Sequence, residues 1–202
     1  TSTSGLSSLQ NGSITVTTSG SVVGNSKTQY YLTVTSPFGT PSGQGWYDNG
    51  GTAYATLDTG TIDLGNGTRR VFTNWIGNAS GTHYGQSDPI QMNAPKTAIA
   101  NWKKEVRLIV RTSGLGTNTT NVYNSTTVLG TATDATPYAG WFEEDSLILL
   151  NIDSPIDNGS TRYMFTEWSG DVAGTNRPAS VTVDTTKDVT ANYELQSVFP
   201  LL

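Results

Sequence analysis

The chain has no cysteine among its 202 residues and carries little charge. The absence of cysteine excludes disulfide bonds and any metal site with cysteine ligands. Charged residues make up 13% of the chain, against about 25% in typical soluble domains. The net charge is −5 and no block of Lys or Arg occurs, so we expect neither nucleic acid nor an anionic membrane surface as a partner.

Long apolar runs and helix signals are also missing. No apolar segment reaches the ~18 residues that a membrane helix needs, so we predict no membrane span. Short segments rich in β-branched and aromatic residues lie between Gly, Pro, Asn and Asp, and such segments are typical of strands. Examples are QYYLTVTS, TAYATLDT, RRVFTNW, VRLIVRT, SLILLNI and RYMFTEW. The sequence therefore predicts an all-β protein.

The chain contains an internal repeat. RRVFTNWIGNASGT (69–82) matches RYMFTEWSGDVAGT (162–175) at seven of fourteen positions, far more than composition alone would give. Weaker matches join PKTAIANW (95–102) to TKDVTANY (186–193) and GWYDNGGTAYATL (45–57) to GWFEEDSLILLNI (140–152). Matching segments in the same order, at offsets of 91 to 95 residues, indicate repeated structural units. We predict two modules, at residues 25–102 and 103–202, behind an N-terminal segment of residues 1–24.

The strand spacing suits immunoglobulin-like antiparallel β-sandwich modules, and we expect the two repeats to pack into one head. The second copy carries an insertion at about residues 112–139. Within it, NVYNSTTVLG alternates between turn residues and predicts an added hairpin. A low-complexity loop is the alternative for this insertion.

The five tryptophans fall at matching positions of the two copies, and one tyrosine completes the third pair. An aromatic residue that both copies need is most simply a core residue. Sugar stacking on exposed rings is the alternative, because extracellular β-domains often bind sugars in this way. We predict core positions for Trp46, Trp75, Trp102, Trp141, Trp168 and Tyr193.

Residues with catalytic potential are few and do not form a set. His83 is the only histidine, and no Gly-x-Ser-x-Gly elbow surrounds any serine. The Asp-Thr-Gly sequence at Asp58 has the signature of aspartic proteases, but the repeat places Asp153 opposite it, followed by Ser-Pro. Asp153, Asp157 and Asn158 depart from the spacing of a calcium loop. We therefore predict a non-enzymatic protein with no catalytic residue, metal site or cofactor.

Six Asn-x-Ser/Thr sequons are present in this Ser- and Thr-rich chain. Most lie in predicted turns beside glycine, where a glycan could project and supply the surface polarity that the low charge does not. We predict N-linked glycans at Asn11, Asn66, Asn78, Asn118, Asn124 and Asn158.

Residues 1–24 belong to neither copy and carry no charged side chain. The segment GSITVTTSGSVV predicts an extended strand with Ile14, Val16 and Thr18 on one face and Thr15 and Thr17 on the other. A buried strand cannot leave its backbone groups unpaired. We predict a donor strand that fills an apolar groove of a neighbouring subunit, and the alternative is a first strand of its own module.

Each copy has a strand, then GWY or GWF with a polar turn, then F-T-x-W-x-G, then a last strand ending in A-N-W or A-N-Y. This pattern, over about residues 25–194, resembles the divergent bacterial and archaeal surface repeats related to internalin B-type repeats. Two such modules behind a neutral strand are similar to the subunits of archaeal thread filaments, which are glycosylated pilins joined by donor-strand complementation. The resemblance implies a head of residues 25–202 and a donor tail of residues 1–24.

The sequence thus leads to the expectation of a structural subunit of an extracellular filament, which serves surface attachment or cell–cell contact. Its partners would be identical subunits in a head-to-tail homopolymer and N-linked glycans. The first residue, Thr1, fits a mature form exported after removal of a signal peptide. The alternative is a carbohydrate-binding or spacer module of a secreted or S-layer-associated protein.

Overall fold

The computed structural model describes residues 26–197, which form strands, turns and loops. The prediction of an all-β protein is confirmed. Over this range no helix is long and apolar enough to cross a membrane. The predicted donor-strand residues Ile14, Val16 and Thr18 and the sequon at Asn11 lie outside the described residues.

We call residues 26–102 the N-terminal half and residues 103–197 the C-terminal half. The N-terminal half begins with eight strands: β1 (Gln29–Thr35), β2 (Pro41–Ser42), β3 (Gly45–Asp48), β4 (Gly51–Ala53), β5 (Thr56–Leu57), β6 (Thr61–Gly65), β7 (Thr68–Gly77) and β8 (Ile90–Met92). Strand β9 (Lys96–Ser113) then runs through both halves. The C-terminal half continues with β10 (Thr120–Asn124), β11 (Thr127–Ala132), β12 (Tyr138–Glu143), β13 (Ser146–Ile152), β14 (Ile156–Asn158), β15 (Thr161–Gly170), β16 (Ala179–Val183) and β17 (Lys187–Ser197).

Strand β9 is the centre of a nine-stranded sheet to which both halves contribute. Its first part pairs with β1 and β7, and its second part pairs with β12 and β17. The sequence VRLIVR suits this place, because Val106, Leu108 and Val110 are fully buried and alternate with the exposed Arg107 and Arg111 and the half-buried Ile109. The predicted boundary at 102/103 therefore falls inside a strand, and the two halves share one continuous sheet.

Two strand pairs differ from the antiparallel sandwich that the sequence predicts. Strand β9 is parallel to β1 at Leu32–Lys96 and parallel to β17 at Leu108–Lys187. Parallel neighbours need a long crossover connection. Here strands replace helices in the connections: β2 to β8 link β1 to β9, and β10 to β16 link β9 to β17, and each connection contributes strands to both the shared sheet and the second layer.

The second layer differs between the halves. In the C-terminal half it is a four-stranded sheet in the order β11-β10-β13-β16, with β10 and β11 forming an antiparallel hairpin inside the insertion. In the N-terminal half it is reduced to the short pairs β2–β5 and β4–β8. The immunoglobulin-like type of the modules stays a prediction.

Each half encloses its own buried cluster between the shared sheet and the second layer. Trp75 and Phe72 lie in the cluster of the N-terminal half, and Trp168 and Tyr193 lie in that of the C-terminal half. The exposed fractions are 2% for Trp75, 1% for Trp168 and 5% for Tyr193.

The core prediction is wrong for Trp46, which is 66% exposed. Trp46 is the register partner of Tyr31, whereas the buried Leu32 pairs with Gly45. Because side chains alternate between the two faces of a strand, Trp46 points away from the core. Trp141 and Trp102 are only half-buried.

Candidate assembly surfaces

The two halves meet around Glu105, near the middle of β9. Glu105 is the register partner of Arg69. Its carboxylate accepts from Arg69 Nε at 2.8 Å and lies 2.8 Å from Lys103 Nζ on its other oxygen. Burial would raise the pKa of Glu105, but the hydrogen bonds from Lys103 and Arg69 outweigh it, so the pKa lies below its ordinary value. An ionised carboxylate thus joins β7 to β9 at the junction.

Arg69 also covers an aromatic ring of the C-terminal half. Its guanidinium carbon lies 4.4 Å from the centre of the Trp141 ring. This is a cation–π contact, in which the ring's negative face attracts the arginine. Trp141 is half-buried as a result, although it faces away from the core.

The turn between β6 and β7 completes the junction. The Gly67 carbonyl accepts from the Arg107 backbone N–H at 2.9 Å, and the Asn66 carbonyl accepts from Thr186 Oγ1 at 2.7 Å. Gly67 has a φ of +68°, and a Cβ there would lie 2.4 Å from Thr186 Oγ1. A side chain at this position would therefore push the halves apart.

The positions equivalent to Trp141 and its neighbours recur at the opposite end of the N-terminal half. Trp46 pairs with Tyr31 as Trp141 pairs with Arg107. The Trp46 and Tyr31 rings meet edge-on, with centroids 5.2 Å apart. Beside them Gln29 Nε2 donates to Asp48 Oδ1 at 3.0 Å. We call Gln29, Tyr31, Trp46 and Asp48 the Trp46 surface.

The positions equivalent to Arg69 and its turn recur at the far end of the C-terminal half. Arg162 pairs with Gln196 as Arg69 pairs with Glu105. Asp157 accepts from Arg162 Nε at 2.7 Å and from Nη2 at 2.9 Å, and these bonds hold the pKa of Asp157 below its usual range. The Arg162 side chain remains 42% exposed. We call Asp157, Arg162, Gln196 and the turn 158–160 the Arg162 surface.

The second layers of the two halves also differ at one edge. Leu57 and Ile152 occupy matching positions of the two halves. Leu57 pairs with Pro41 of β2, and Ile152 pairs with Val122 of β10. Strand β10 has ladder partners on both sides, β13 and β11. Over residues 26–197, strand β2 has a ladder partner only in β5.

The predicted glycosylation sites differ in access. Asn66, Asn78 and Asn158 are exposed, whereas Asn118 and Asn124 are half-buried. Asn158 Nδ2 donates to Asn118 Oδ1 at 2.8 Å, and Asn118 Nδ2 donates to the Leu115 carbonyl at 3.0 Å. The amide nitrogen that a glycan would modify is thus already engaged in Asn118 and Asn158.

The residues weighed for catalysis occupy separate structural roles. Asp58 accepts from the Thr40 N–H at 2.7 Å, and this bond lowers the pKa of Asp58. Asp153 accepts from the Tyr123 hydroxyl at 2.6 Å. His83 is exposed and stacks on Tyr84, with ring centroids 5.4 Å apart. In the described range no group of three or more His, Asp or Glu side chains could hold a metal ion.

A polar cleft of about 470 Å³ lies beside the junction. Lys104 and Glu144 form an ion pair on its wall, and Lys103 is paired with Glu105. With Arg70, Glu143 and Asp145 the lining has three basic and three acidic side chains, so the cleft has no net charge with which to select an ionic ligand.

Comparisons of the chain with protein-family models, with curated proteins and with solved structures find no match. The Trp46 and Arg162 surfaces are therefore identified only by comparing matching positions in the two halves of this chain. The sequence analysis did not predict these surfaces. The repeat did contain a signal for them, since Arg69 and Arg162 match one another as closely as the tryptophans do.

Proposed function

We propose that the protein is a structural subunit of an extracellular, surface-attached filament whose subunits join by donor-strand complementation. Residues 1–24 of one subunit would add a strand to the next one. Contacts of this kind join two different surfaces, so they need not close and can propagate as a filament.

The observation that carries this proposal is the edge of β2. Its counterpart β10 is flanked by β11, which buries Ala132 in the core of its half. Among the described residues β2 has no strand in the place of β11. An open sheet edge is a template for a strand from another chain. The alternating segment with Ile14 and Val16 would supply one, with these side chains toward the Leu57 side of the cluster.

The surface chemistry supports an extracellular location. The low charge leaves hydroxyl and amide groups to keep the surface hydrated, and Asn66 and Asn78 are exposed sequon positions. N-linked glycans at such positions would add bulk and polarity. They would be the second class of partner beside identical subunits.

The experiment is electron microscopy of the full chain with Ile14→Asp and Val16→Asp together. Filaments should be lost while the head still folds, because each charge would be buried in the groove without a partner. Thr15→Asp with Thr17→Asp is the matched control, since these residues lie on the opposite face of the same strand, and it should retain filaments. Intact filaments in the Ile14/Val16 variant would refute the proposal. Unfolding of its monomer would instead place the segment in its own module.

A carbohydrate-binding module is the second candidate, and the exposed ring of Trp46 favours it. Trp46 and Tyr31 present aromatic surface beside the Asp48 carboxylate and the Gln29 amide. An aromatic face can stack on a sugar while polar groups bind its hydroxyls. Glycan binding that Trp46→Ala abolishes, by a protein that stays monomeric, would select this candidate.

A further inference from the structure

We propose that the Trp46 surface of one copy binds the Arg162 surface of a second copy, with Arg162 over Trp46 as Arg69 lies over Trp141 inside one chain. This inference rests on the proposed function, because it names a contact between subunits of that homopolymer. It does not use residues 1–24.

The strand registers support the pairing of these two surfaces. Around the internal junction, Arg69 pairs with Glu105 on one side of β9, and Trp141 pairs with Arg107 on the other. Arg162 has the first environment, opposite Gln196, and Trp46 has the second, opposite Tyr31. One chain thus carries each partner of the junction a second time, at opposite ends.

The two surfaces complement one another chemically. Asp157 holds the Arg162 guanidinium through two hydrogen bonds, one to each carboxylate oxygen, and the Arg162 side chain remains 42% exposed. Trp46 is 66% exposed. A cation over an indole face is the strongest form of cation–π contact, and removal from water strengthens it. Stacking would also bury the apolar ring that Trp46 presents to solvent.

The turn beside Arg162 matches the turn that seats the internal junction. Thr68 Oγ1 donates to the Gly65 carbonyl at 3.1 Å, and Thr161 Oγ1 donates to the Asn158 carbonyl at 2.7 Å. Ser160 therefore stands where Gly67 stands. Gly67 contacts Thr186, whose counterpart in the repeat is Pro95 of the N-terminal half. Ser160 and Pro95 are both exposed, and the proposed contact brings them together.

The contact also has a steric requirement. By the same registers, residues 28–30 and 195–197 both correspond to residues 104–106 of β9, so only one of the two segments can occupy the strand at the contact. The other must turn aside. Each copy keeps one surface of each kind, so the contact is head-to-tail, need not close and can repeat from copy to copy.

The test uses the absence of cysteine from the chain. Ser160→Cys and Pro95→Cys are made as two separate full-length variants with different mass tags and are oxidised alone and as a mixture. The proposed contact predicts a disulfide-linked heterodimer in the mixture and little dimer in either variant alone. Adding Trp46→Ala or Arg162→Gln should lower the heterodimer yield about three- to tenfold, as expected for loss of a cation–π contact. Leu147→Ala is the control, because Leu147 is 60% exposed on β13, and it should leave the yield unchanged.

A mixture without heterodimer, or a yield that neither Trp46→Ala nor Arg162→Gln changes, would overturn the contact. Binding of oligosaccharide at Trp46 by protein that gives no heterodimer would also overturn it, in favour of a sugar site.

Failure of the two proposals can be told apart in the Ile14→Asp/Val16→Asp background. If the Ile14→Asp/Val16→Asp protein forms both the heterodimer and intact filaments, only the donor-strand proposal is refuted. If the parent chain forms filaments and the cysteine variants give no heterodimer, only the proposed contact between Trp46 and Arg162 is refuted.

Discussion

Trp75 in the N-terminal half and Trp168 in the C-terminal half have the same surroundings. The backbone N–H of Trp75 donates to the Gly81 carbonyl at 2.9 Å, and that of Trp168 donates to the Gly174 carbonyl at 2.7 Å. Each indole N–H also donates to a backbone carbonyl in the loop that follows, at 3.1 and 2.9 Å. Both halves therefore satisfy the polar edge of a buried tryptophan in one way.

The second layers show what the fold can vary. Ala53 and Ala55 line the core in the N-terminal half where Ile148 and Leu150 do so in the C-terminal half. Smaller inward side chains leave less volume to enclose, so strands of two or three residues suffice. The larger side chains are enclosed by longer strands and by the β10–β11 hairpin. The shared sheet and the buried pair Trp75 and Trp168 are thus the constant part of the fold.

The largest effect should come from removing these tryptophans. Trp75→Ala and Trp168→Ala should each lower the free energy of unfolding by about 3–5 kcal/mol, because each leaves a cavity in a buried cluster. Denaturant unfolding followed by circular dichroism should remain a single transition for both variants, since β9 belongs to both halves. Trp46→Ala is the control and should change stability by no more than about 0.5 kcal/mol. Two resolved transitions, with only one shifted, would show that the halves unfold independently.

A smaller effect is expected at the glycines that end β7 and β15. Gly77 and Gly170 have φ values of +86° and +92°, and a Cβ would meet the Thr97 carbonyl at 2.7 Å and the Asp188 carbonyl at 2.4 Å. Alanine at either position should cost about 1–3 kcal/mol through backbone strain and the clash. Gly50→Ala is the matched control, because its φ is +78° with open space around the Cβ. Equal losses at all three positions in thermal unfolding would mean that the clash contributes nothing.

The all-β class could be predicted because local alternation determines it. SLILLNI became β13, with Ile148, Leu150 and Ile152 buried. The face of Trp46 could not be read in the same way, because at a sheet edge a tryptophan can fit either face and the choice depends on the register with β1. The parallel pairing of β9 with β1 and β17 could not be predicted either, because it joins strands that are far apart in the chain. The Trp46 and Arg162 surfaces required both facts, since they emerge only when the registers of the two halves are compared.

The smallest expected effect is a pH dependence of the free energy of unfolding that comes from Tyr193 in the C-terminal half and has no counterpart at Trp102 in the N-terminal half. Tyr193 occupies the place of Trp102, and its hydroxyl donates to the Asp153 carbonyl at 2.8 Å. Burial raises the pKa of Tyr193 to about 12, above the ordinary value of about 10. The neutral form is therefore favoured by folding, so its contribution is fully present below pH ~10 and is lost as the pH rises through about 12.

Tyr193→Phe removes this titrating group and its hydrogen bond, which should cost about 1 kcal/mol near neutral pH. The difference in unfolding free energy between the parent protein and Tyr193→Phe should then shrink as the pH rises above ~10. Trp102→Phe is the control from the other half, because the indole N–H of Trp102, which donates to Ser36 Oγ at 3.0 Å, does not titrate. Its difference from the parent should stay constant with pH. Chemical denaturation at pH values from 8 to about 11.5 measures both differences, and a constant difference for Tyr193→Phe would show that the Tyr193 hydroxyl ionises as easily in the folded protein as in the unfolded chain.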